Sequence, residues 1–501
     1  MIYFQMRSVI KMFANVYGDK RALIVCGKYE GTDKLAADYL YSELSAELPY
    51  VLTICEAEKL TDDMLKYYSI VAVGTAASNS FIADLCKKGS LQAPTHKEGY
   101  RIKVMDNPYN PERQIFALVG GSEVGAYYAV SHFVNKYLPE CGNGDFDSPE
   151  ADISGSDNFL FAKKITEMDI YEQPQIAERG IWTWGHVIYN HKAFLNNMAR
   201  LRMNIITVWN DFVPINAKEF VDYAHSLGIK VIWGFSMGWG YSYDISDDAV
   251  LDKIIDDAVE NYRNNYLPLG GDGAYFQTFT ETKESSINGV NIAERVSVFV
   301  NKINVKFKEN FGDIRIQFGL HATSVKNSLN KIAEISPDME IAWEDCGSFP
   351  YSYNPDDIKD FAETLAFTEK IVGLRGENEI FSAVLKAQST LSWPTFEHQM
   401  GPFNMGVTSN RYIESKYSKK KKFWRQKNAR WIKNGEKARE IIEVIRKRTN
   451  GSASLEFLIE AGVFEYKISL ASAISAQLMW NSNREYTQII YEAGLMSDVE
   501  F

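Results

Sequence analysis

Short apolar runs alternate with stretches of helical periodicity over the first third of the chain. The runs predict strands, and they occupy residues 22–26, 69–74, 99–104 and 115–121. Ser122 follows the last run and is a suitable N-cap for a helix that carries Val124, Tyr127 and Phe133 at helical spacing. The pattern predicts a compact α/β domain over residues 1–150. A Gly-, Asp-, Ser- and Pro-rich stretch at 141–157 is typical of a linker.

Three glycines, Gly120, Gly121 and Gly125, follow the 115–121 strand and resemble a phosphate-binding loop. Their spacing is not GxGxxG, and no Walker Lys-Ser/Thr pair follows them. We therefore expect these glycines to allow close packing of the strand against the next helix.

A regular alternation of strands and helices begins near Arg179. Eight strands are predicted, at 180–184, 204–209, 230–235, 274–280, 314–320, 340–343, 381–387 and 402–407. The segments between them have helical spacing, for example 194–202 and 219–228. Eight such units predict a TIM (β/α)₈ barrel over residues 160–410, with an open doubly wound sheet as the alternative.

Beyond the barrel, residues 411–501 are predicted to be helical. The stretch from Lys416 to Arg448 is strongly basic and contains Phe423, Trp424 and Trp431, as some nucleic-acid-binding helices do. The chain as a whole carries a net charge of −11, which opposes binding to phosphate backbones. We expect a solvated helix whose aromatic side chains pack on the barrel, and no nucleic-acid partner.

Cysteine spacing and the search for targeting signals indicate the predicted cellular compartment. The five cysteines contain no CxxC pair, so neither a disulfide framework nor a zinc pattern is predicted. No apolar run approaches the roughly 18 residues of a membrane span, and the N-terminal residues lack the pattern of a signal peptide. We expect a cytoplasmic protein without a membrane partner.

Aromatic and polar residues gather at the predicted C-terminal strand ends, where barrels of this type place their active sites. An aromatic ring covers the apolar face of a sugar, and nearby polar groups bind its hydroxyls. Trp182 and Trp233 lie within strands and are predicted to be core. The candidate substrate-binding residues are Trp184, His186, Trp209, Asn210, Asp211, Trp239, His321, Trp343 and His398.

Cleavage of a glycosidic bond needs two carboxyl groups, and several follow the predicted strands. Glu281 follows the fourth strand, and alternation places it on the face of Gln277 and Phe279. Glu344 follows the sixth, and alternation predicts that it faces the barrel axis while Ile341 and Trp343 face the helices. The alternative for both is a structural ion pair. The further candidates are Asp345, Glu284, Glu397 and Asp211.

Metal and serine chemistry have weaker support in the sequence. His186, His321 and His398 could meet at the barrel mouth, but there is no HExxH motif. The acidic segment 244–262 lacks a calcium-loop pattern and is predicted to be an amphipathic helix. There is no GxSxG motif. We predict no metal and no cofactor.

Two stretches resemble a known group of enzymes. Gly99-Tyr100 and Gly125-Ala126-Tyr127-Tyr128-Ala129 resemble the non-catalytic α/β domain of family 67 α-glucuronidases and family 20 β-N-acetylhexosaminidases. The segment RGIWTWGHVIYNHKAFLNNMARLRMNIITVWND resembles the first βαβ unit of their catalytic barrels. Gly270-Gly271-Asp272-Gly273 precedes the fourth strand without the Asp-Glu pair of family 20. The similarity covers residues 95–240.

The resemblance implies an exo-acting glycoside hydrolase acting on a uronic-acid- or N-acetylhexosamine-containing glycan. By position, Glu281 is then the general acid, and Glu344, with Asp345, the second carboxylate. Burial among aromatic residues is expected to raise the pKa of that acid. Two alternatives remain: a catalytically inert carbohydrate-binding barrel, and a metal-dependent barrel hydrolase using His186, His321 and Asp211.

Overall fold

A computed structural model describes residues 22–47, 52–138, 168–184, 187–210, 212–237, 244–322, 324–346, 360–377, 379–386, 401–459 and 464–498. The chain divides into two compact units, residues 1–174 and 175–501. Within the described ranges, no helix combines the length and the apolar character needed to cross a membrane. Cys26, Cys55, Cys86 and Cys346 are free thiols.

The first unit is built on a six-stranded mixed sheet. Its strands are β1 (Ala22–Cys26), β2 (Leu52–Glu56), β3 (Ser69–Gly74), β4 (Tyr100–Asn107), β5 (Asn110–Gly120) and β6 (Met168–Glu172), in the order β2-β1-β3-β5-β4-β6. Its helices are α1 (Gly31–Glu47), α2 (Asp62–Tyr67), α3 (Ser80–Lys87) and α4 (Glu123–His132). Strands β2, β1, β3 and β5 are parallel, and β4 pairs antiparallel with β5 and β6. The four strands predicted from apolar runs are confirmed.

The turn from β5 into α4 confirms the predicted role of its glycines. The Ser122 side chain accepts a hydrogen bond from the Gly125 amide at 3.3 Å and so caps α4. A Cβ atom on Gly120 would lie 2.0 Å from the Ala126 nitrogen, and one on Gly121 would lie 2.1 Å from the His96 oxygen. These residues are glycines because the neighbouring backbone fills the space of a side chain.

The second unit contains a closed eight-stranded parallel barrel, which confirms the predicted fold class. Its strands are β7 (Glu178–Trp184), β8 (Ile205–Trp209), β9 (Lys230–Gly234), β10 (Gly273–Gln277), β13 (Ile316–Leu320), β14 (Glu340–Cys346), β15 (Phe381–Leu385) and β16 (Ser454–Ile459). A two-strand hairpin, β11 (Ser286–Ile287) and β12 (Val290–Asn291), lies between β10 and β13.

Helices surround this barrel and continue to the end of the described chain. They are α5 (His191–Arg200), α6 (Ala217–Ser226), α7 (Asp248–Asn261), α8 (Ile292–Phe311), α9 (Leu329–Ile332), α10 (Phe361–Val372), α11 (Asn410–Arg448), α12 (Leu470–Trp480) and α13 (Tyr486–Met496). Short π-helical turns, Phe133–Tyr137 and Tyr262–Tyr266, extend α4 and α7, and 3₁₀ turns occur at Ala57–Lys59 and Leu267–Leu269. Helix α7 is the predicted amphipathic acidic helix, and α11 buries Trp424 and Trp431 and leaves Phe423 half-buried.

The predicted eighth strand is wrong. Residues 402–407 do not form a barrel strand, and the barrel closes instead through β16, which pairs with β15 and β7. Gly406 has a positive φ of 69°, and Met405 donates its amide hydrogen to the Asn216 side chain at 2.7 Å. The 402–407 segment is thus an irregular connection outside the barrel. The helical C-terminal segment is confirmed, apart from β16.

Candidate active site at the mouth of the barrel

Alternate residues of the parallel strands face the barrel lumen, and three aromatic rings meet there. Trp182 of β7, Trp209 of β8 and Tyr275 of β10 pack edge to face, with ring centroids 5.6–6.0 Å apart. Trp184, two residues beyond Trp182, packs against the same cluster and is partly exposed. Because the strands are parallel, their C-terminal ends form one mouth, and Trp184 lies at its rim.

Glu344 lies in the lumen beside this aromatic cluster. Its Oε2 atom is 2.9 Å from His321 Nε2 and 3.5 Å from Lys386 Nζ. The Lys386 ammonium also lies 5.3 Å from the centroid of the Trp182 ring. All three polar residues are at most 5% exposed. A carboxylate so deeply buried needs an adjacent cation, and Lys386 provides it.

The imidazole of His321 is neutral in this cluster. Burial, and to a lesser extent the nearby Lys386 charge, lower the pKa of His321 to about 3. A neutral imidazole has one N–H, and the short contact to Glu344 places that proton on Nε2, so His321 donates to the carboxylate. His321 therefore orients Glu344 without contributing a charge.

Gly319 of β13 leaves the space that the carboxylate occupies. A Cβ atom at this position would lie 2.0 Å from Tyr275 Oη and 2.6 Å from Glu344 Oε1. Both oxygens therefore approach the same point on the lumen wall. Tyr275 Oη is buried and has no hydrogen-bond partner among the described residues. The phenol is thus placed to bind a polar group that enters the lumen.

A β-bulge in β14 separates the roles of Glu344 and Asp345. The register with β15 pairs Trp343 with Ala383 and Cys346 with Leu385, so β14 holds one extra residue between these pairs. Both Asp345 oxygens accept hydrogen bonds from the Ala322 amide, at 3.3 and 3.2 Å. Burial raises the pKa of Asp345 to about 6, although the Ala322 amide and Lys386 oppose that rise. Asp345 therefore anchors the turn that follows His321.

Glu281 is exposed at the mouth, whereas burial among aromatic residues was expected. Strand β10 ends at Gln277, earlier than predicted, and Phe279 has a φ of 21° and packs against Phe299 of α8. The simple alternation that placed Phe279 and Glu281 on one lumen-facing side is therefore wrong. The Gln277 side-chain amide donates to Glu281 Oε2 at 3.4 Å. Glu284 is also exposed and lies at the base of the β11–β12 hairpin.

Two of the predicted aromatic platforms have other roles. Trp343 is fully buried and contacts Phe367 of α10, at a centroid distance of 5.8 Å, so it packs in the helical layer and does not line the mouth. Trp209 is 1% exposed within the lumen cluster. Trp233 packs on Phe220 and Tyr266 as core, as predicted. Asn210 is buried directly after β8.

Several predicted site residues lie outside the described residues: His186, Asp211, Trp239, Glu397 and His398. Sequence reasoning also missed residues that the structure brings to the site: Gln277, Gly319, Tyr275 and Lys386. Lys386 carried a usable signal, because alternation from Ser382 and Val384 places it on the lumen face. Within the described ranges, no cluster of His, Cys, Asp and Glu has the arrangement of a metal site.

Comparison with known proteins finds likeness only at the level of structure. No family model and no curated protein matches the sequence. A GH138 enzyme targeting pectin rhamnogalacturonan II is 12% identical, with a TM-score of 0.49, over 93% of this chain and 64% of its own. CpGH84D is 12% identical (TM-score 0.47, over 94% of this chain and 67% of its own). CpGH84B is 13% identical (TM-score 0.48, over 95% and 70%). TM-scores below 0.5 assign no reaction to this chain, so its chemistry follows only from its own residues.

Proposed function

We propose that the chain is an exo-acting glycoside hydrolase whose site lies at the barrel mouth. One observation carries this proposal: Glu281 and Glu344 approach the same pair of strand residues. Gln277 is paired in register with Gly319. The Gln277 amide binds Glu281, and Glu344 Oε1 lies against Gly319. Cleavage of a glycosidic bond needs two carboxyl groups, and here both lie next to the Gln277–Gly319 pair.

The two carboxyl groups have different surroundings, which suits them to different roles. Glu344 is paired with the Lys386 ammonium and oriented by His321, which suits it to act as a nucleophile, a base or a stabiliser of positive charge. Glu281 is exposed, and as the general acid it would protonate the departing oxygen of a bound glycoside.

The substrate class rests on the resemblance of the first unit to enzymes acting on uronic acids and N-acetylhexosamines. Trp184 at the rim offers an aromatic face, and Tyr275 Oη offers a hydroxyl to a sugar that enters the lumen. The carboxyl separation in a ligand complex would indicate the stereochemical course. About 5–5.5 Å corresponds to a retaining enzyme and about 6.5–9.5 Å to an inverting one.

The test is a screen of aryl glycosides, including glucuronides and N-acetylhexosaminides, followed by kinetics of Glu281→Gln. We expect this variant to lose about 10²–10⁴-fold in kcat on a substrate with a poor leaving group, the usual contribution of a general acid. A dinitrophenyl leaving group needs little protonation, so its cleavage should change much less. Glu344→Gln should slow both substrates, because its charge acts on the reacting centre.

Glu294→Gln is the matched control, because Glu294 is an exposed carboxylate in the first turn of α8. It should cleave both substrates at the native rate. Native rates in Glu281→Gln would exclude Glu281 as the acid and make Glu284 the next residue to test. Saturable sugar binding without cleavage of any glycoside would instead identify an inert carbohydrate-binding barrel.

A further inference from the structure

A crevice opens in the first unit at the C-terminal ends of β1, β2 and β3. The chain passes from β1 to β2 on one side and then to β3 on the other, so the strand order reverses at β1. In open α/β sheets, ligands bind outside the carboxyl ends of the strands at such a reversal. The crevice has a volume of about 640 Å³, and its lining comes mainly from the turns and helices that follow these three strands, with Glu123 from the start of α4.

The walls of this crevice are preformed by close backbone packing. A Cβ atom on Gly27 would lie 2.3 Å from the Ser78 carbonyl oxygen, and Gly74 has a φ of +135°. The Asn79 side-chain amide donates to the Val25 and Val73 carbonyl oxygens, both at 3.0 Å, and so ties the ends of β1 and β3 together. A site held in this way loses little entropy when a ligand binds.

Asp33 of α1 lies at the floor of the crevice. Its side chain is 3% exposed, and Oδ1 has no hydrogen-bond partner among the described residues. Burial raises the pKa of Asp33 to about 6; a hydrogen bond from Ser78 opposes the rise, and the charge of Glu123 adds to it. A buried carboxylate with an unused oxygen is costly unless a donor reaches it.

The charges that line the crevice indicate what kind of ligand could donate a hydrogen bond to Asp33. Five carboxyl side chains line the crevice with a single lysine, Lys28, and they are Glu30, Asp33, Glu56, Glu58 and Glu123. Glu56 is engaged by Lys59 and by the Tyr29 amide, which leaves four carboxyl groups facing one ammonium. This excess of negative charge repels phosphates and carboxylates. No group suited to a metal ion is found in the described part of this unit.

We propose that this crevice binds a small organic cation through a primary ammonium group that donates to Asp33. An ammonium has three donors and no acceptor, so it suits a pocket of carboxylate oxygens. Amino sugars and polyamines both carry this group. The proposal concerns the first unit alone and is independent of the reaction proposed for the barrel.

The test is isothermal titration calorimetry on the full chain at about pH 7.5, above the raised pKa of Asp33. Glucosamine and spermidine are the probes, and N-acetylglucosamine and inorganic phosphate are the comparisons. We expect saturable one-to-one binding of at least one amine, with much weaker binding of both comparisons. Comparing glucosamine with spermidine distinguishes an amino-sugar ligand from a polyamine.

Two variants test whether the amine binds in this crevice. Asp33→Asn should weaken amine binding by about 10- to 100-fold, the worth of a hydrogen bond to a charged group. Ala77→Lys adds a positive charge at the exposed rim without altering the buried residues, and it should also weaken binding. Asp84→Asn, on the exposed side of α3, is the matched control and should bind as the native chain does. The proposal fails if neither amine binds, if phosphate binds more tightly, or if both variants retain native affinity.

Discussion

At the scale of single residues, the most consequential contact is that between Glu344 and Lys386. Both side chains are buried, and the ammonium lies 3.5 Å from the carboxylate. His321 adds a neutral hydrogen bond on the same oxygen, so Lys386 is the cation nearest to this charge among the described contacts of Glu344. Breaking a buried pair from one side costs far more than the pair contributes, because the remaining charge has lost its compensation.

We therefore expect Lys386→Met to destabilise the barrel by about 3–5 kcal/mol, the usual effect of removing one partner of a buried pair. The Glu344 carboxylate should also become easier to protonate, so the acidic limb of the pH–rate profile should move to higher pH. Urea unfolding and the pH dependence of kcat/KM measure the two effects. Lys370→Met, exposed on α10, should change neither. An unshifted acidic limb would show that Glu344 does not govern the rate.

At the scale of elements, β16 completes the barrel that the 402–407 segment was expected to close. Its lumen-facing residues, Ser454, Glu456 and Leu458, alternate with outward-facing Leu455 and Phe457. Leu458 is fully buried in the cluster that contains Trp182 and Val384. By contrast, Val407 is 61% exposed and forms only an isolated bridge to Asn190.

Paired substitutions distinguish the two segments. Leu458→Ala should cost about 2–5 kcal/mol, because it opens a cavity in the lumen core. Val407→Ala should change stability by no more than about 0.5 kcal/mol, as expected at an exposed position. Urea unfolding of both variants gives the comparison. Equal losses would mean that β16 does not occupy the interior of the barrel.

At the scale of the whole molecule, charged side chains lie at several positions along the axis of the barrel lumen. Near the N-terminal ends of the strands, Arg315 forms ion pairs with Glu178 and Glu340. Burial alone would raise the pKa of Glu178, but Arg315 and Lys230 outweigh it and lower that pKa to about 2. Glu456 accepts hydrogen bonds from the Thr207 amide and hydroxyl, at 2.9 and 2.8 Å. Burial raises its pKa to about 8, although Thr207 and Arg315 oppose the rise.

The raised pKa of Glu456 makes global stability depend on pH. The folded chain holds this proton more tightly than the unfolded chain, so the stabilisation is complete below the ordinary pKa of 4.5. It is lost progressively as the pH rises through about 8. The free energy of unfolding of the native chain should therefore decline as the pH rises. Glu456→Gln should remove this contribution to the decline, which is worth a few kcal/mol because each pKa unit corresponds to about 1.4 kcal/mol.

Urea unfolding at intervals between about pH 5 and pH 8 measures the slope for the native chain and for Glu456→Gln. Glu294→Gln is the control, because Glu294 is exposed on α8 and does not contribute to the raised pKa of Glu456. Its slope in this window should be native. Identical slopes for the native chain and Glu456→Gln would show that Glu456 does not hold the proton.

The sequence by itself determined the features that depend on neighbouring residues. The apolar runs located strands in the first unit and seven of the eight barrel strands, because burial imposes a local pattern on each strand. Ser122 and its glycines likewise predicted the turn into α4. Parallel strands with helices between them then implied where a site must lie.

Only the tertiary structure decided which strand closes the barrel and which side chains share its lumen. Strand β16 was missed because its alternating pattern includes Ser454 and Glu456, which are buried only when β15 and β7 lie on either side. Trp343 and Glu344 both resembled site residues, yet one faces α10 and the other faces Lys386. The space at Gly319 and the bulge in β14 arise from contacts between strands distant in sequence. Pairing across the closed sheet creates these contacts, and no local pattern contains them.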